Sequence, residues 1–187
     1  MAKYAMILNY KNCINCKACE VACKEENGIE LGAKAHRIWV GTYEIEGKYP
    51  FLSIPSSTFY PSQCQHCANA PCEEVCPTHA TYYDKNGVVQ IDAQKCILCS
   101  YCMVACPYDA RYVDTRTMSV DKCNFCSDTR LARGLKTTAC QATCPTKVRI
   151  FGDLEDPNSE VSHILRTKEH FTLKAGIGTE PRLFYIK

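Results

Sequence analysis

The sequence predicts an α+β fold built from small repeated units, each with a short strand, a cysteine-bearing loop and a brief helix. Three observations predict it. The 187 residues include 16 cysteines, which fall into four groups of four. Similar residues flank several of these groups. The remaining core is thin, because cysteines account for 16 of the residues in the 46% hydrophobic fraction. We therefore expect something other than side-chain packing to supply much of the folding energy.

Composition and charge argue against several classes of protein. The formal net charge is only +2, so no basic surface for nucleic acid is indicated. The opening "MAKYAMILNYKN" lacks the features of a secretory signal, which removes the usual context for disulfides. No window approaches the roughly 18 consecutive apolar residues of a membrane helix. If the protein works at a membrane, we expect a partner to hold it there.

The four cysteine groups leave no cysteine over. They are group one (Cys13, Cys16, Cys19, Cys23), group two (Cys64, Cys67, Cys72, Cys76), group three (Cys96, Cys99, Cys102, Cys106) and group four (Cys123, Cys126, Cys140, Cys144). Groups one and three have the spacing C-x2-C-x2-C-x3-C, whereas groups two and four are stretched.

An internal repeat surrounds the groups. "NYKNCINC", "DAQKCILC" and "SVDKCNFC" each bring a lysine just before the first cysteine, and "CPTHATYY", "CPYDARYV" and "CPTKVRIF" follow the fourth cysteine of groups two, three and four. Group one departs from this pattern, since a charged "KEEN" run follows Cys23. The clearest strand is "GVVQID" before group three.

The spacing indicates the chemistry. Three thiolates at i, i+3 and i+6 can surround one compact object, while the fourth is carried away to a neighbouring unit. This pattern resembles the cysteine run of two-cluster bacterial ferredoxins, which also ends in proline. Structural zinc would use paired C-x2-C knuckles, and a disulfide scaffold or a catalytic thiol fits the spacing less well. Iron–sulfur clusters are therefore the leading interpretation.

No catalytic constellation accompanies the cysteines. The sequence has no G-x-G-x-x-G after a strand, no phosphate loop, and no combination of acid, base and nucleophile. His66 and His79 beside group two are interpreted as ordinary loop residues, and the basic run Arg130, Arg133 and Lys136 as a solvated face or a docking patch. We expect the chain to move electrons and not to be an enzyme by itself.

Longer segments make the resemblance specific. "CQHCANAPCEEVC" and "CNFCSDTRLARGLKTTACQATC" resemble the iron–sulfur subunit of the DMSO reductase family of molybdoenzymes. "DKCNFCSDTRLARG" and "FGDLEDPNSEV" are most similar to the electron-transfer subunit of polysulfide and thiosulfate reductases. The resemblance covers essentially the whole chain.

The resemblance implies two pseudo-symmetric ferredoxin-like halves. Half one comprises residues 1–36 and 114–151, with groups one and four, and half two comprises 61–113, with groups two and three. An inserted hairpin at 37–60 is expected to turn near Gly47. A C-terminal extension, 152–187, is expected to contain a short helix around 159–169 and an extended end, and to brace the halves or meet a partner.

The resemblance also implies four [4Fe-4S] clusters with crossed ligands. Cluster one takes Cys13, Cys16, Cys19 and Cys144; cluster two takes Cys23, Cys123, Cys126 and Cys140; cluster three takes Cys76, Cys96, Cys99 and Cys102; cluster four takes Cys64, Cys67, Cys72 and Cys106. The clusters are expected to form a wire in that numerical order. Some relatives replace the second cysteine of group three by tryptophan and hold a three-iron cluster, but this chain keeps Cys99, so four complete clusters are expected.

In such complexes the subunit relays electrons between an integral membrane subunit that handles quinone and a molybdopterin catalytic subunit. The resemblance implies a reductase of polysulfide, thiosulfate or a related sulfur compound, with the chain on the outer face of the cytoplasmic membrane after export with its partner. The alternatives are the equivalent subunit of a formate dehydrogenase or hydrogenase, a freestanding polyferredoxin, and a location on the cytoplasmic face.

Overall fold

Short strands and short helices alternate along the chain, as the α+β prediction requires. The computed structural model describes residues 2–31, 35–45 and 56–186. The elements are β1 Tyr4–Leu8, α1 Ala18–Asn27, β2 Ile38–Ile45, β3 Ser56–Gln63, α2 Pro71–Glu74, β4 Thr81–Tyr83, β5 Val89–Ile91, α3 Tyr101–Val104, β6 Tyr112–Asp114, β7 Ser119–Asp121, α4 Ala139–Ala142, β8 Arg149–Asp153, α5 Glu160–Thr167, β9 His170–Phe171 and β10 Leu183–Ile186.

The largest sheet has the strand order β8-β1-β10-β9. β1 pairs antiparallel with β8 and parallel with β10, so it is covered on both edges. Its two faces are buried as well. Met6 and Leu8 join the main hydrophobic core, whereas Ala5 and Ile7 pack with residues of α5. Burial on both faces explains the continuous apolar run of β1, because neither face needs polar side chains.

Three two-stranded antiparallel sheets complete the strands: β2 with β3, β4 with β5, and β6 with β7. β2 pairs Ile38 with Gln63, so β3 runs past the predicted boundary at residue 60. The predicted turn near Gly47 lies outside the described residues. The predicted strand "GVVQID" contains β5.

The helices bring particular cysteine groups together. α1 of group one packs against α4 of group four, and α2 of group two packs against α3 of group three. α1 has ten residues, whereas α2, α3 and α4 have four each. The difference follows from the sequence: group one has no proline after its fourth cysteine, so the helix continues until Gly28, whose φ of +60° ends it.

The C-terminal extension is part of the sheet. α5 occupies 160–167, within the range predicted for a helix, and β10 lies between β1 and β9. The segment before β10 also reaches the group-two loop, where Ala68 N–H donates to the Glu180 carbonyl at 2.9 Å and Arg182 N–H donates to the Gln65 carbonyl at 2.9 Å. The extension therefore connects β1 with the loop that carries group two.

Candidate cluster-binding sites

Three cavities are each lined by four cysteines drawn from two groups. Their cysteines are Cys13, Cys16, Cys19 and Cys144 in the first; Cys76, Cys96, Cys99 and Cys102 in the second; and Cys64, Cys67, Cys72 and Cys106 in the third. In each cavity, three cysteines of one group meet the fourth cysteine of another.

The cluster-two cysteines, Cys23, Cys123, Cys126 and Cys140, are all buried. Burial raises the pKa of the Cys23 thiol well above its ordinary value, and the three other thiols of the set raise it further. Such an effect requires the four sulfur atoms to be neighbours. All sixteen cysteines are thus brought into four quartets of the predicted composition.

Left-handed backbone shapes the cysteine loops. Non-glycine residues between the first cysteines of the groups have φ between 45° and 63°; they are Asn15, Lys17, His66, Leu98, Ser100 and Phe125. A second repeat follows the fourth cysteine, three residues later, at His79, Asp109 and Lys147. This conformation is unfavourable for residues other than glycine. Its recurrence indicates that the loops are shaped to turn successive sulfur atoms toward one centre.

Backbone N–H groups also point at sulfur. The donors are Thr81 to Cys76 at 3.4 Å, Val120 to Cys96 at 3.5 Å, Phe125 to Cys123 at 3.5 Å and Val148 to Cys144 at 3.3 Å. Burial raises the pKa of Cys76 and of Cys144, but the hydrogen bonds to these two sulfur atoms outweigh it and lower both pKa values below the ordinary value. They stabilise the thiolate, which is the form that binds metal.

The quartets fit the group that the sequence predicts. Four thiols surround each of the three cavities, and backbone donors face several sulfur atoms. Burial raises the pKa of the Cys123 thiol, and a bound metal would overcome this by displacing the proton. Each iron of a [4Fe-4S] cluster binds one of four thiolates, so the site needs four thiols around a shared space and not four thiols converging on one ion.

The spatial order of the quartets corrects the predicted order. Cys64 of cluster four packs in the same core as Cys123 of cluster two, whereas Cys102 of cluster three belongs to a separate core. Arg111 lines both the cluster-four and the cluster-three cavities. The quartets therefore lie in the order one, two, four, three, and the numerical order was wrong. The reason is the ligand crossing, which turns the first three cysteines of group two toward half one and those of group three away from it.

The boundary between clusters two and four contains a stacked ring pair. His66 is fully buried and stacks on Phe125, with ring centroids 3.8 Å apart and planes at 28°. His66 lies in a loop, as expected, and the structure adds that it is buried and stacked. Burial, and next the charge of Lys122, lower its pKa well below the ordinary value. The sequence could not show this, because Phe125 belongs to a different cysteine group.

The two terminal quartets each expose one cysteine. Cys16 of cluster one and Cys99 of cluster three are exposed, and each is the second cysteine of its group. Exposed apolar side chains accompany them: Ile14 and Val21 near Cys16, and Ile97, Tyr101 and Val104 near Cys99. The ends of the row are therefore accessible and apolar.

Three buried cations were missed by the sequence analysis: Arg111, Lys122 and Arg149. Arg111 and Arg149 both follow the fourth cysteine of their group by five residues, in "CPYDAR" and "CPTKVR". The corresponding residue after group two is Thr81. For the two arginines, the available signal was a cation between two apolar residues in the repeat after the fourth cysteine, in "ARY" and "VRI".

The basic run in group four is partly structural. Arg130 lies 3.6 Å from a Glu26 carboxylate oxygen, and Arg133 also pairs with Glu26. These ion pairs tie the stretched loop of group four to α1. Within the described residues, no helix is both long and apolar enough to cross a membrane.

Two family models match this protein, over residues 56–154 and 12–80, and both are described as a 4Fe-4S dicluster domain. The sequence is 42% identical to the B component of the polysulfide reductase of Wolinella succinogenes, over 98% of this chain and 94% of that one. It is 42% identical to the thiosulfate reductase electron transfer subunit PhsB of Salmonella typhi, over 89% and 83% of the two chains.

It is also 37% identical to an iron-sulfur subunit of a putative dimethyl sulfoxide reductase of Halobacterium salinarum, over 100% of this chain and 79% of that one. The likenesses extend over nearly the full chain and agree with the cysteine quartets. The chain therefore belongs to the 4Fe-4S dicluster-domain family of iron–sulfur electron-transfer subunits of sulfur-compound and dimethyl sulfoxide reductases, which are not catalytic alone.

Proposed function

We propose that the protein carries four [4Fe-4S] clusters and relays electrons between a membrane subunit that handles quinone and a molybdopterin catalytic subunit. One observation carries the proposal: four cysteine quartets follow one another in a row whose two ends each expose a cysteine. A wire needs this arrangement, because its inner stations must be insulated and its terminal stations must approach a partner.

The ligand sets of this proposal are those named for clusters one to four, and they divide the chain into half one (1–36 and 114–151) and half two (61–113). The packing of α1 on α4 and of α2 on α3 supports the division. The clusters supply one-electron chemistry when bound. The protein's own residues hold the thiolates by backbone N–H donors, keep water from the inner quartets, and leave Cys16 and Cys99 near the surface.

The two ends meet different partners in this proposal. The cluster-one end docks the catalytic subunit, as the resemblance implies. The membrane subunit docks at the last station, which is cluster three in the spatial order. The apolar side chains around Cys99 support a protein contact there, because Val104 is 87% exposed and Ile97 is 64% exposed.

The catalytic partner in this proposal reduces polysulfide, thiosulfate or a related sulfur compound, and the complex lies on the outer face of the cytoplasmic membrane. The names of the Wolinella and Salmonella relatives, a polysulfide reductase and a thiosulfate reductase, support the substrate class. Protease treatment of intact spheroplasts tests the location: we expect the protein to be digested without lysis, and protection until lysis would contradict it.

Anaerobic purification of the complex tests the cluster count. About 16 iron atoms per chain are expected, with no three-iron EPR signal that persists after reconstitution. The preparation should also contain molybdenum. Substantially less iron in the fully reconstituted complex would contradict the four-cluster proposal, and a soluble, stable, iron-loaded chain without partners would indicate a freestanding carrier.

A surface variant tests the docking end. Val104→Asp introduces a charge into the apolar surface beside Cys99, so we expect less co-purifying membrane subunit while the molybdenum content stays unchanged. Ile177→Asp is the control, since Ile177 is 51% exposed but lies in the C-terminal extension. Equal loss of the membrane subunit from the two variants, or loss of molybdenum from Val104→Asp alone, would contradict the assignment of this end.

A further inference from the structure

One buried cation lies at each junction of the quartet row. Arg149, Lys122 and Arg111, here called the junction cations, are only 1%, 2% and 5% exposed. Each has cysteines of two adjacent quartets as neighbours. Arg149 stands between clusters one and two, Lys122 between two and four, and Arg111 between four and three.

Arg111 has the clearest geometry. It lines both the cluster-three and the cluster-four cavities. Its Nη1 donates to Thr81 Oγ1 at 3.1 Å, whereas its Nη2 is buried and has no hydrogen-bond partner among the described residues. Its charged neighbours are Cys72 of cluster four and Cys102 of cluster three. The guanidinium therefore lies in a wall shared by two sites, within reach of the sulfur atoms of both quartets.

Arg149 repeats this arrangement in half one. It lines the cluster-one cavity, and its neighbours are Cys140 of cluster two and Cys19 of cluster one. Its Nη1 donates to Gln63 Oε1 at 2.5 Å, and its Nη2 is again buried without a hydrogen-bond partner among the described residues. The two arginines occupy the same place in the repeat, so the pseudo-symmetry includes them.

Lys122 links the two halves. Its Nζ donates to the Val89 carbonyl and, at 2.8 Å, to the Cys123 carbonyl. Burial lowers the pKa of Lys122, and the neighbouring thiol of Cys64 raises it. Cys64 belongs to cluster four, and Cys123 belongs to cluster two. Lys122 is therefore placed at the one junction that neither arginine covers.

Among the described residues, the junction cations have no acidic partner. The ion pairs found among the described residues use other cations, and none joins a carboxylate to Arg111, Lys122 or Arg149. Burying a charge without an opposite charge costs several kcal/mol. The groups around them that can carry negative charge are the cysteine sulfur atoms. A cluster bound by four thiolates has a net negative charge, and reduction makes that charge more negative by one.

We propose that each junction cation raises the reduction potentials of the two clusters it separates, and raises them together. This inference rests on the proposed function, because it requires the clusters to be present. A cation stabilises the reduced cluster more than the oxidised one, since the reduced cluster is more negative. Because one cation serves both sides of a junction, it stabilises the transferred electron before and after the step, so neighbouring potentials stay close.

Redox titration of the holocomplex, followed by EPR, tests the inference. Arg111→Gln is expected to lower two of the four midpoint potentials, those of clusters three and four, and to leave the other two unchanged. The expected change is at least about tenfold in the reduction equilibrium, which corresponds to about 59 mV for one electron. Arg149→Gln is expected to lower clusters one and two, and Lys122→Gln clusters two and four.

Charge-conserving and matched variants separate charge from packing. In Arg111→Lys and Arg149→Lys, we expect the midpoint potentials of the adjacent clusters to stay close to those of the unmutated complex, because the positive charge is kept. Lys95→Gln is the control for Lys122: Lys95 also directly precedes the first cysteine of its group, but it is 62% exposed and lies 3.6 Å from Asp92. Screening by water predicts no resolved shift for Lys95→Gln.

The outcomes distinguish this inference from the proposed function. Unchanged potentials in a glutamine variant with full iron content would overturn the inference and leave the four-cluster wire intact. Too little iron in the unmutated complex would instead overturn the wire. If one glutamine variant loses its clusters, the glutamine variants at the other two junctions still test the inference. If all three lose clusters while the charge-conserving variants keep them, the cations serve assembly and not potential, which also overturns the inference.

Discussion

The inner and outer cysteine quartets use the same loop geometry but differ in exposure. The inner quartets, clusters two and four, keep all but one of their cysteines buried, and Cys106 is half-buried. The outer quartets, clusters one and three, expose Cys16 and Cys99. The difference comes from what packs on each loop: Cys64 of cluster four and Cys123 of cluster two share the main hydrophobic core, whereas the second cysteine of each outer group remains exposed.

This difference bears on two requirements of the proposed electron relay. Insulation from water requires tertiary packing on both sides of a cluster, which the inner quartets receive from β1, the C-terminal extension and the stacked rings of His66 and Phe125. Exchange with a partner requires an accessible edge, which the outer quartets retain. One repeated sequence unit can meet both requirements because its environment differs.

Serine substitution of a cysteine should separate inner from outer quartets most clearly. Cys123→Ser removes an inner ligand that packs in the main core, whereas Cys99→Ser removes an exposed outer ligand. We expect electron transfer to fall by about 100-fold or more in both. Cys99→Ser should keep about three quarters of the iron, since one cluster of four is affected. Cys123→Ser should keep less. Iron analysis of both purified variants checks this. Equal iron content would contradict the expectation that an inner ligand matters more for cluster retention than an outer one.

A buried ion pair beside cluster two gives the next largest effect. Arg37 donates to both carboxylate oxygens of Asp121, at 2.8 and 3.0 Å, in a site where both side chains are mostly buried. Arg37→Gln leaves Asp121 without its cation, so we expect about 3 kcal/mol loss in the free energy of unfolding. Lys3→Gln removes the exposed Lys3–Glu155 pair and should leave the free energy of unfolding nearly unchanged, because water screens exposed charges. Denaturant unfolding of the two holoproteins measures both changes in the free energy of unfolding. If Arg37→Gln lost as little stability as Lys3→Gln, the ion pair would not stabilise the contact between cluster two and the segment that leads into β2.

A helix cap beside cluster two gives the smallest effect. Thr138 accepts a hydrogen bond from Gln141 N–H at 3.4 Å, and its hydroxyl lies 3.3 Å from the Cys140 sulfur. Thr138→Ala should therefore cost about 1 kcal/mol of stability. Ser159, at the start of α5, makes no side-chain cap hydrogen bond, so Ser159→Ala should change stability by only a few tenths of a kcal/mol. Thermal unfolding distinguishes the two, and an equal loss would show that the cap of α4 contributes nothing special to cluster two.

Much of the site could be predicted from local sequence. Three cysteines at i, i+3 and i+6 are close in space because they are close in sequence, and the repeated prolines mark each fourth cysteine. Cys99 could be identified from the sequence as the second cysteine of group three, the position where some relatives have tryptophan. The predicted helix around 159–169 and the strand in "GVVQID" also depended on local signals, and both are present.

Other features depended on contacts between distant segments. β10 enters the sheet beside β1, more than 170 residues away in sequence. The order of the quartets reverses clusters three and four, because the crossing of ligands decides which loop faces the other half. Exposure at Cys16 and burial at Cys67 also cannot be read from identical C-x2-C spacing.

Residue types and their spacing were enough to establish the kind of centre, the number of thiols and the family, because metal ligation by a loop is a property of spacing and side-chain chemistry. Packing between distant segments determined which quartets are inner, which ends are accessible, and that a buried cation stands at each junction. Burial and electrostatic neighbourhood are created by that packing: Arg111 and Lys95 are both cations near group three in sequence, yet one is enclosed by two quartets and the other is solvated.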